Sequence, residues 1–164
     1  MEKLRLLLAL CFIPTAAMAN YDMSGTEIGG GSELTSINIH YRGSSNQAHI
    51  LQDGYNNTAV VVQQGFGNQA RVNQIQGSSN LAIIAQRGAA NLAQVNQSDA
   101  RNTAVVLQSG VANVASVEQT DFDNSAYVNQ KGKGNIAQIY QNGTNRSAGI
   151  VQNSSGMAIR ITQH

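Results

Sequence analysis

The chain has few of the residues that usually stabilise an exported protein or supply its chemistry. Its 164 residues include no Trp, one Pro and one Cys, and only 5% are aromatic and 12% charged. With Cys11 as the single cysteine, no disulfide can form within the chain. The formal net charge of +1 does not indicate a nucleic-acid partner, and we expect none. Stability must therefore come from another source, and repetition is the evident one.

Long hydrophobic runs are also lacking, except close to the N-terminus. Lys3 and Arg5 precede an apolar run at 6–13, and small residues follow at 17–19. This order is typical of a secretory signal peptide, so we expect residues 1–19 to be removed after Ala19. The run is far shorter than the ~20 residues of a membrane-spanning helix. The sequence therefore predicts an exported chain without a transmembrane segment.

Groups that could carry catalysis or bind a metal ion are absent or scattered. His40, His49 and His164 do not cluster, and none has metal-ligand spacing with Cys, Asp or Glu. The calcium-binding nonapeptide repeat is missing, and no acidic pair recurs on one face as in a polysaccharide-cleaving β-helix. We predict that the protein is not an enzyme and has no catalytic residue, cofactor or metal site.

What the sequence has in abundance is one pattern, N-x-A-x-x-x-Q, which recurs every eleven residues with one twelve-residue step. Nine full copies are present, and two degenerate copies that end at Gln152 and Gln163 follow them. Another degenerate copy occupies residues 35–41. The residues predicted to form amide ladders along the repeat are Asn46, Gln52, Asn57, Gln63, Asn68, Gln74, Asn80, Gln86, Asn91, Gln97, Asn102, Gln108, Asn113, Gln119, Asn124, Gln130, Asn135 and Gln141.

An eleven-residue period can describe a helix or a strand, and the residue types favour the strand. Asn, Ala, Val or Ile, and Gln stand at i, i+2, i+4 and i+6, which places them on one face of a strand. Gly or Asp recurs two residues after the Gln, where a tight turn needs it. We therefore predict an all-β solenoid with two strands per coil and about six coils, which becomes amyloid-forming cross-β in a fibre.

The predicted organisation has three parts. The signal peptide is followed by a flexible, Gly-rich targeting segment at 20–34 and by the repeat solenoid at 35–164, regular from Asn46 to Gln141 and degenerate at 142–164. Alternate units form two facing sheets, one holding the strands that end at Gln63, Gln86, Gln108, Gln130 and Gln152. The outer face of that sheet is apolar in its first strands. Strand propensity explains this as well as lateral packing or contact with a membrane surface does.

The charges are distributed unevenly along the chain. Eight acidic residues occur between Asp22 and Asp123, whereas no Asp or Glu occurs after Asp123. We interpret the basic C-terminal part as a surface-anchoring site for an acidic partner. Its residues are Lys131, Lys133, Arg146 and Arg160.

The repeat from Asn46 to Gln141 resembles the curlins of Gram-negative bacteria, whose repeats form extracellular functional amyloid. Because Asn begins both strands of each coil, and because of the ending at 157–164, the chain is most similar to the minor, nucleating curlin subunit. The resemblance implies secretion through an outer-membrane pore and retention in a cell-surface fimbrium by an accessory anchoring protein. It also implies self-association and the templating of the major curlin subunit.

Two other functions remain open from the sequence. The chain could be the major curlin fibre subunit, or a secreted solenoid adhesin that stays monomeric. Here Arg146 stands in an Asn position, and Met157 and Ile159 replace Asn and Ala, which interrupts the pattern at the C-terminal end. We expect these changes to limit further stacking there.

Overall fold

The computed structural model describes residues 36–164, all of whose regular elements are β-strands. The predicted signal peptide, the predicted targeting segment at 20–34 and Thr35 lie outside the described residues. The twelve strands are β1 Ser36–Arg42, β2 Gln47–Tyr55, β3 Thr58–Phe66, β4 Gln69–Ser78, β5 Leu81–Ala89, β6 Leu92–Ala100, β7 Thr103–Val111, β8 Val114–Thr120, β9 Ser125–Lys133, β10 Ile136–Asn142, β11 Ser147–Gln152 and β12 Ala158–Gln163.

The strands alternate between two parallel six-stranded sheets. Sheet A has the order β1-β3-β5-β7-β9-β11, and sheet B has the order β12-β10-β8-β6-β4-β2. Each odd strand and the even strand after it form one coil, so the described chain is a solenoid of six coils. This confirms the predicted fold class and the predicted assignment of alternate units to facing sheets.

Equivalent residues of successive coils stand in register. Ala59 pairs with Ala82, and Gln63 pairs with Gln86. The one twelve-residue step adds a residue near Gln76, where the pairing of β4 with β6 is irregular between Ile75 and Ser78. Register resumes after this irregularity, so the extra residue is absorbed at a turn.

The core is a thin layer of small and medium aliphatic side chains between the sheets. From β3 to β10 the Ala and the Val or Ile of the pattern are buried and belong to one continuous cluster, and Ala48 and Ile50 of β2 are partly buried against it. In β7, for example, Ala104 and Val106 are fully buried while Val105 and Leu107 point outward. The alternation follows from the two-residue period of a strand, as the sequence predicts.

The bounds of the strands and turns differ from the prediction. The sequence predicts seven-residue strands that begin at Asn. The observed strands begin one residue after the Asn position, and most continue through the Gly or Asp that the sequence predicts at the turn. A second turn residue, directly before the Asn, has a φ between 53° and 69° in every coil. These residues are Ser45, Asn56, Gly67, Ser79, Ala90, Arg101, Ala112, Asp123, Gly134, Asn145 and Gly156.

Residues 36–164 contain no helix that is long and apolar enough to span a membrane.

Candidate functional site

Gln side chains form two ladders that run along the solenoid, one at the end of the strands of each sheet. The Nε2 of each Gln donates to the Oε1 of the Gln one coil later, at 2.7–2.9 Å. The ladder of sheet A runs from Gln63 to Gln152 and that of sheet B from Gln52 to Gln163. Each ladder therefore has a direction, with donors pointing toward the C-terminal coil.

The same Gln side chains also connect the two sheets. The second Nε2 proton of Gln86 goes to the carbonyl of Gln69, the first residue of the preceding strand in the facing sheet, at 2.9 Å. Gln97 reaches Leu81 in the same way, at 3.1 Å. A ladder residue such as Gln86 is thus buried with both protons and its oxygen paired, which burial of an amide requires.

The Asn positions have a different bonding pattern from the expected side-chain ladder. The Oδ1 of each Asn accepts the main-chain N–H of the equivalent residue one coil later, as Asn57 does from Asn80 at 3.0 Å. The Nδ2 donates mainly to main-chain carbonyls of the turns, as Asn80 does to Asp99 at 2.7 Å. Direct Asn–Asn side-chain bonds occur in sheet B, for example from Asn91 to Asn68 at 3.0 Å. The Asn side chains therefore hold the turns together.

The solenoid has an N-terminal edge formed by coil 1 (β1 and β2) and a C-terminal edge formed by coil 6 (β11 and β12). Parallel strands at such edges present main-chain N–H and C=O groups to a further strand. At the N-terminal edge Ile37, Ile39 and Tyr41 are about 40% exposed, although the same strand positions are fully buried in inner coils. At each edge, therefore, one side of the coil has no further coil stacked on it among the described residues.

The Gln ladders end differently at the two edges. At the N-terminal side the Oε1 atoms of Gln52 and Gln63 are buried without a hydrogen-bond partner among the described residues. Gln63 faces the coil in which Tyr41 takes the Gln position. At the C-terminal side Gln152 uses its second proton on the carbonyl of Met157, at 3.1 Å. Gln163 donates to Ser147 at 3.1 Å and makes no second donor bond within the part that the structure describes.

The structure does not bring the four predicted anchoring residues together. Lys131 and Lys133 are exposed at the end of β9 in sheet A, and Arg160 is exposed on the outer face of β12 in sheet B. Arg146 precedes β11, about one strand length from the lysines, or roughly 20 Å. The positive charges thus surround the C-terminal coils and do not form one compact patch.

Arg146 is engaged within the chain. Its guanidinium donates to the main-chain carbonyl of His164, and its main-chain N–H donates to Asn124 Oδ1 at 3.0 Å. The His164 ring also contacts the ring of Tyr140, with centroids 5.9 Å apart. Arg146 therefore closes the turn of the last coil, and Lys131, Lys133 and Arg160 are the more accessible of the four.

Charged side chains of the described part also pair across neighbouring turns. Arg101 and Asp123 form an exposed ion pair at 2.7 Å across neighbouring turns, and Arg101 also lies over the ring of Phe122. The hydrogen bond from Arg101 lowers the pKa of Asp123. Residues 36–164 contain no group of three His, Cys, Asp or Glu that could hold a metal ion.

The outer face of sheet A is apolar in its first strands, as the sequence indicates. Val62 is 42% exposed, and Ala85 and Leu107 are half-buried beside it. They line a shallow groove of about 300 Å³.

Comparison with known proteins identifies the repeat. Residues 43–75 and 100–132 match the curlin associated repeat. The two matched segments fall in different coils of the same solenoid, and they support the curlin family for this chain. The match identifies the repeat and does not separate a minor from a major subunit. No curated protein matches the sequence.

Proposed function

We propose that the chain is the minor subunit of curli-type extracellular fibres and that it nucleates the polymerisation of the major curlin subunit at the cell surface. The observation that carries this proposal is a solenoid with Gln ladders along both sheets, whose first and last strands have no further strand paired to them among the described residues. An incoming strand with the same inward pattern gains a full row of main-chain hydrogen bonds at such an edge. It also gains Gln partners if it carries Gln at the ladder position.

The nucleating step follows from the cost of ordering the first coil. A free chain must order about 22 residues, and close a turn between two strands, before any coil-to-coil contact forms. A chain that docks on an existing edge forms those contacts as it orders. A folded solenoid therefore removes the slow step from the assembly of other chains with the same repeat. It acts as a template and not as an enzyme.

The asymmetry of the ends supports a minor rather than a major subunit. The C-terminal coil has Arg146 and Met157 where inner coils have Asn, so neither offers a side-chain oxygen to the N–H of a following coil. The guanidinium of Arg146 is directed to His164. A subunit that begins a fibre needs one good edge, whereas every subunit inside a fibre needs two.

Accessible positive charge around the same coils supports retention at the cell. Lys131, Lys133 and Arg160 are exposed, and no acidic residue follows Asp123 in the sequence. We propose that these residues bind an accessory anchoring protein or another acidic surface after secretion through an outer-membrane pore. Binding of this kind weakens as salt is added.

Seeding tests the nucleator. Preassembled chain added at low molar ratio to major curlin subunit should remove the lag in thioflavin fluorescence. The same mass of preassembled major subunit, added as seed, gives the reference value for the shortening of the lag. If the purified chain remains a soluble monomer without a ~4.7 Å reflection, the result favours the alternative function, a secreted solenoid adhesin that stays monomeric. If it forms fibres but seeds no better than major subunit, it is a fibre subunit.

Charge removal tests retention. A variant with Lys131→Gln, Lys133→Gln and Arg160→Gln should move from the cell surface to the medium. The matched control is Arg42→Gln, Arg71→Gln and Arg87→Gln, which removes the same charge from exposed positions in earlier coils. Equal retention of the two variants would show that the anchoring site lies elsewhere.

A further inference from the structure

We propose that the outer face of sheet A binds an extended acidic polysaccharide, which lies along the solenoid axis in the groove beside Val62. The groove has one apolar wall and one polar, positively charged wall, and a polymer of sugar rings with carboxylates has surfaces that match both. The inference goes beyond the proposed function. It does not require that the chain assembles, because the groove lies within a single chain.

The two walls of the groove are neighbouring columns of outward side chains that stand in register in successive strands of sheet A. The apolar column consists of Val62, Ala85 and Leu107, followed by Asn129. The polar column consists of Arg42, Gln64, Arg87, Ser109 and Lys131. Residues two apart in a strand are separated by ~6.8 Å, so one extended chain can lie between the columns. Gln86 and Gln108 lie between them with inward side chains, and their main chain forms the floor.

The polar column carries a positive charge in every second coil. Arg42, Arg87 and Lys131 occupy it in coils 1, 3 and 5, and Gln64 and Ser109 occupy it in coils 2 and 4. Successive cations are two strand spacings apart, or ~9.6 Å. All three are exposed, and none forms an ion pair within residues 36–164. Their charges are therefore available to a ligand.

Acidic residues lie away from this side of the solenoid. Within residues 36–164, the outer face of sheet A and the turns that follow its strands contain no Asp or Glu. The acidic residues of this part all lie in sheet B or in the turns after its strands, and they are Asp53, Asp99, Glu118, Asp121 and Asp123. No neighbouring carboxylate therefore cancels the positive potential along the groove, and this potential favours an anionic ligand.

The spacing of the cations favours a polysaccharide over a nucleic acid. A nucleic-acid strand carries a phosphate about every 3.4 Å, which is much denser than one cation per ~9.6 Å. A polysaccharide in which acidic and neutral sugars alternate carries its carboxylates two rings apart, with hydroxyl groups between them. Gln64 and Ser109 lie between the cations and can bond to those hydroxyl groups. Neither wall of the groove has an aromatic side chain on which a base could stack.

The apolar wall matches the remaining surface of a sugar ring. The C–H groups of a pyranose ring form an apolar face, and its hydroxyl groups project from the edge. Val62, Ala85 and Leu107 form a continuous apolar strip through coils 2, 3 and 4. Contact with ring faces would remove this strip from water. The strip, the neutral polar groups and the cations thus each have a counterpart on a single ligand.

Removal of charge from the polar column tests the ligand. The probe is a hyaluronan oligosaccharide, in which glucuronate alternates with N-acetylglucosamine, and it is passed over immobilised chain so that no fibre is needed. Arg42→Gln with Arg87→Gln should raise the dissociation constant about fivefold or more, because two exposed charge contacts are lost. The matched control is Arg71→Gln with Arg101→Gln, which removes the same charge from exposed positions outside the groove. It should stay within about twofold of wild type.

A second pair of variants tests the apolar wall at constant charge. Val62→Thr with Leu107→Thr replaces apolar contacts by hydroxyl groups and should also raise the dissociation constant about fivefold. The control is Val60→Thr with Val105→Thr, which changes the same two strands in the next outward column, outside the groove. This control should stay within about twofold of wild type. Circular dichroism should give the same β-sheet signal for all four variants.

Several results would overturn the inference. It fails if wild type does not bind hyaluronan, or binds the neutral polysaccharide dextran equally tightly. It also fails if either groove variant binds hyaluronan as its control does, because the two columns then do not form the site. If single-stranded DNA of equal length binds more tightly, and the Arg42→Gln, Arg87→Gln variant loses this binding, the ligand is a nucleic acid. None of these results affects the proposed nucleator, because seeding is measured without polysaccharide.

Discussion

Gln86 allows the free energy of a ladder to be measured at one residue. It accepts a hydrogen bond from Gln63 at 2.8 Å and donates to Gln108 and to the carbonyl of Gln69, both at 2.9 Å. Gln86→Ala removes all three bonds. It leaves one proton of Gln63 and the Oε1 of Gln108 buried without partners. At about 1–3 kcal/mol for each unpaired buried group, the variant should lose about 2–6 kcal/mol of unfolding free energy.

The control for this prediction is the same substitution at an outward Gln. Gln138 is exposed on β10 and makes no side-chain hydrogen bond within the described residues, so Gln138→Ala should change stability by less than about 0.5 kcal/mol. The assay is the denaturant midpoint of the β-sheet signal in circular dichroism, compared among the two variants and wild type at equal protein concentration. Equal midpoints for the two variants would refute the view that paired amides stabilise the solenoid.

Two further predictions concern the turns. Gly110→Ala should block folding or lower the denaturant midpoint severely, because a Cβ there would lie 1.9 Å from the carbonyl oxygen of Gly132. Gly134→Ala should cost only about 1 kcal/mol, since that glycine has a left-handed φ but no atom within 4 Å of the added carbon; similar midpoints for both would contradict the close approach. Asp123→Asn should slightly lower the midpoint at neutral pH, because Arg101 lowers the pKa of the folded-state carboxyl. The stabilisation is present above the ordinary aspartate pKa and is lost as the pH falls through the lowered value, so the difference from wild type should vanish in strong acid; a constant difference would argue against the pair.

The sequence was sufficient to predict the strands, the two sheets and the inward face. A residue such as Ala104, Val106 or Gln108 recurs at a fixed spacing, and a two-residue period permits only one inward set. The direction of the Gln ladders could not be predicted from the sequence, because it depends on the orientation of each side-chain amide. The buried Oε1 of Gln52 could not be predicted for the same reason.

The turns show a second limit of sequence reasoning. Gly88 and Asp99 follow their Gln residues at the same distance, and the repeat predicts equivalent conformations for them, but Gly88 has a φ of 112° and Asp99 a φ of 63°. The sequence does not indicate the left-handed residue just before each Asn, because Ala90, Arg101 and Ala112 are not typical of that conformation. Main-chain contact between stacked turns outweighs residue preference there.

The anchoring interpretation illustrates a third limit. Lys131, Lys133, Arg146 and Arg160 are close in the sequence, and a charge count treats them as one group. The solenoid places Lys131 and Lys133 at the end of β9, Arg146 just before β11 and Arg160 on the outer face of β12, and it directs Arg146 toward His164. Nearness in the sequence therefore does not predict a common surface in a fold whose coils are only two strands wide.

The interruption of the Gln ladder of sheet A in coil 1 also determines how the solenoid should respond to force. When the solenoid is pulled along its axis, the main-chain bonds of two strand pairs and the amide bonds between the same coils bear the load together. Inner joints include Gln bonds in both sheets, as between Gln86 and Gln108. The joint between coils 1 and 2 has a Gln bond in sheet B alone, because Tyr41 faces Gln63. The coil at the N-terminal edge is therefore the first to yield under tension, and the inner coils form the stiff part of the molecule.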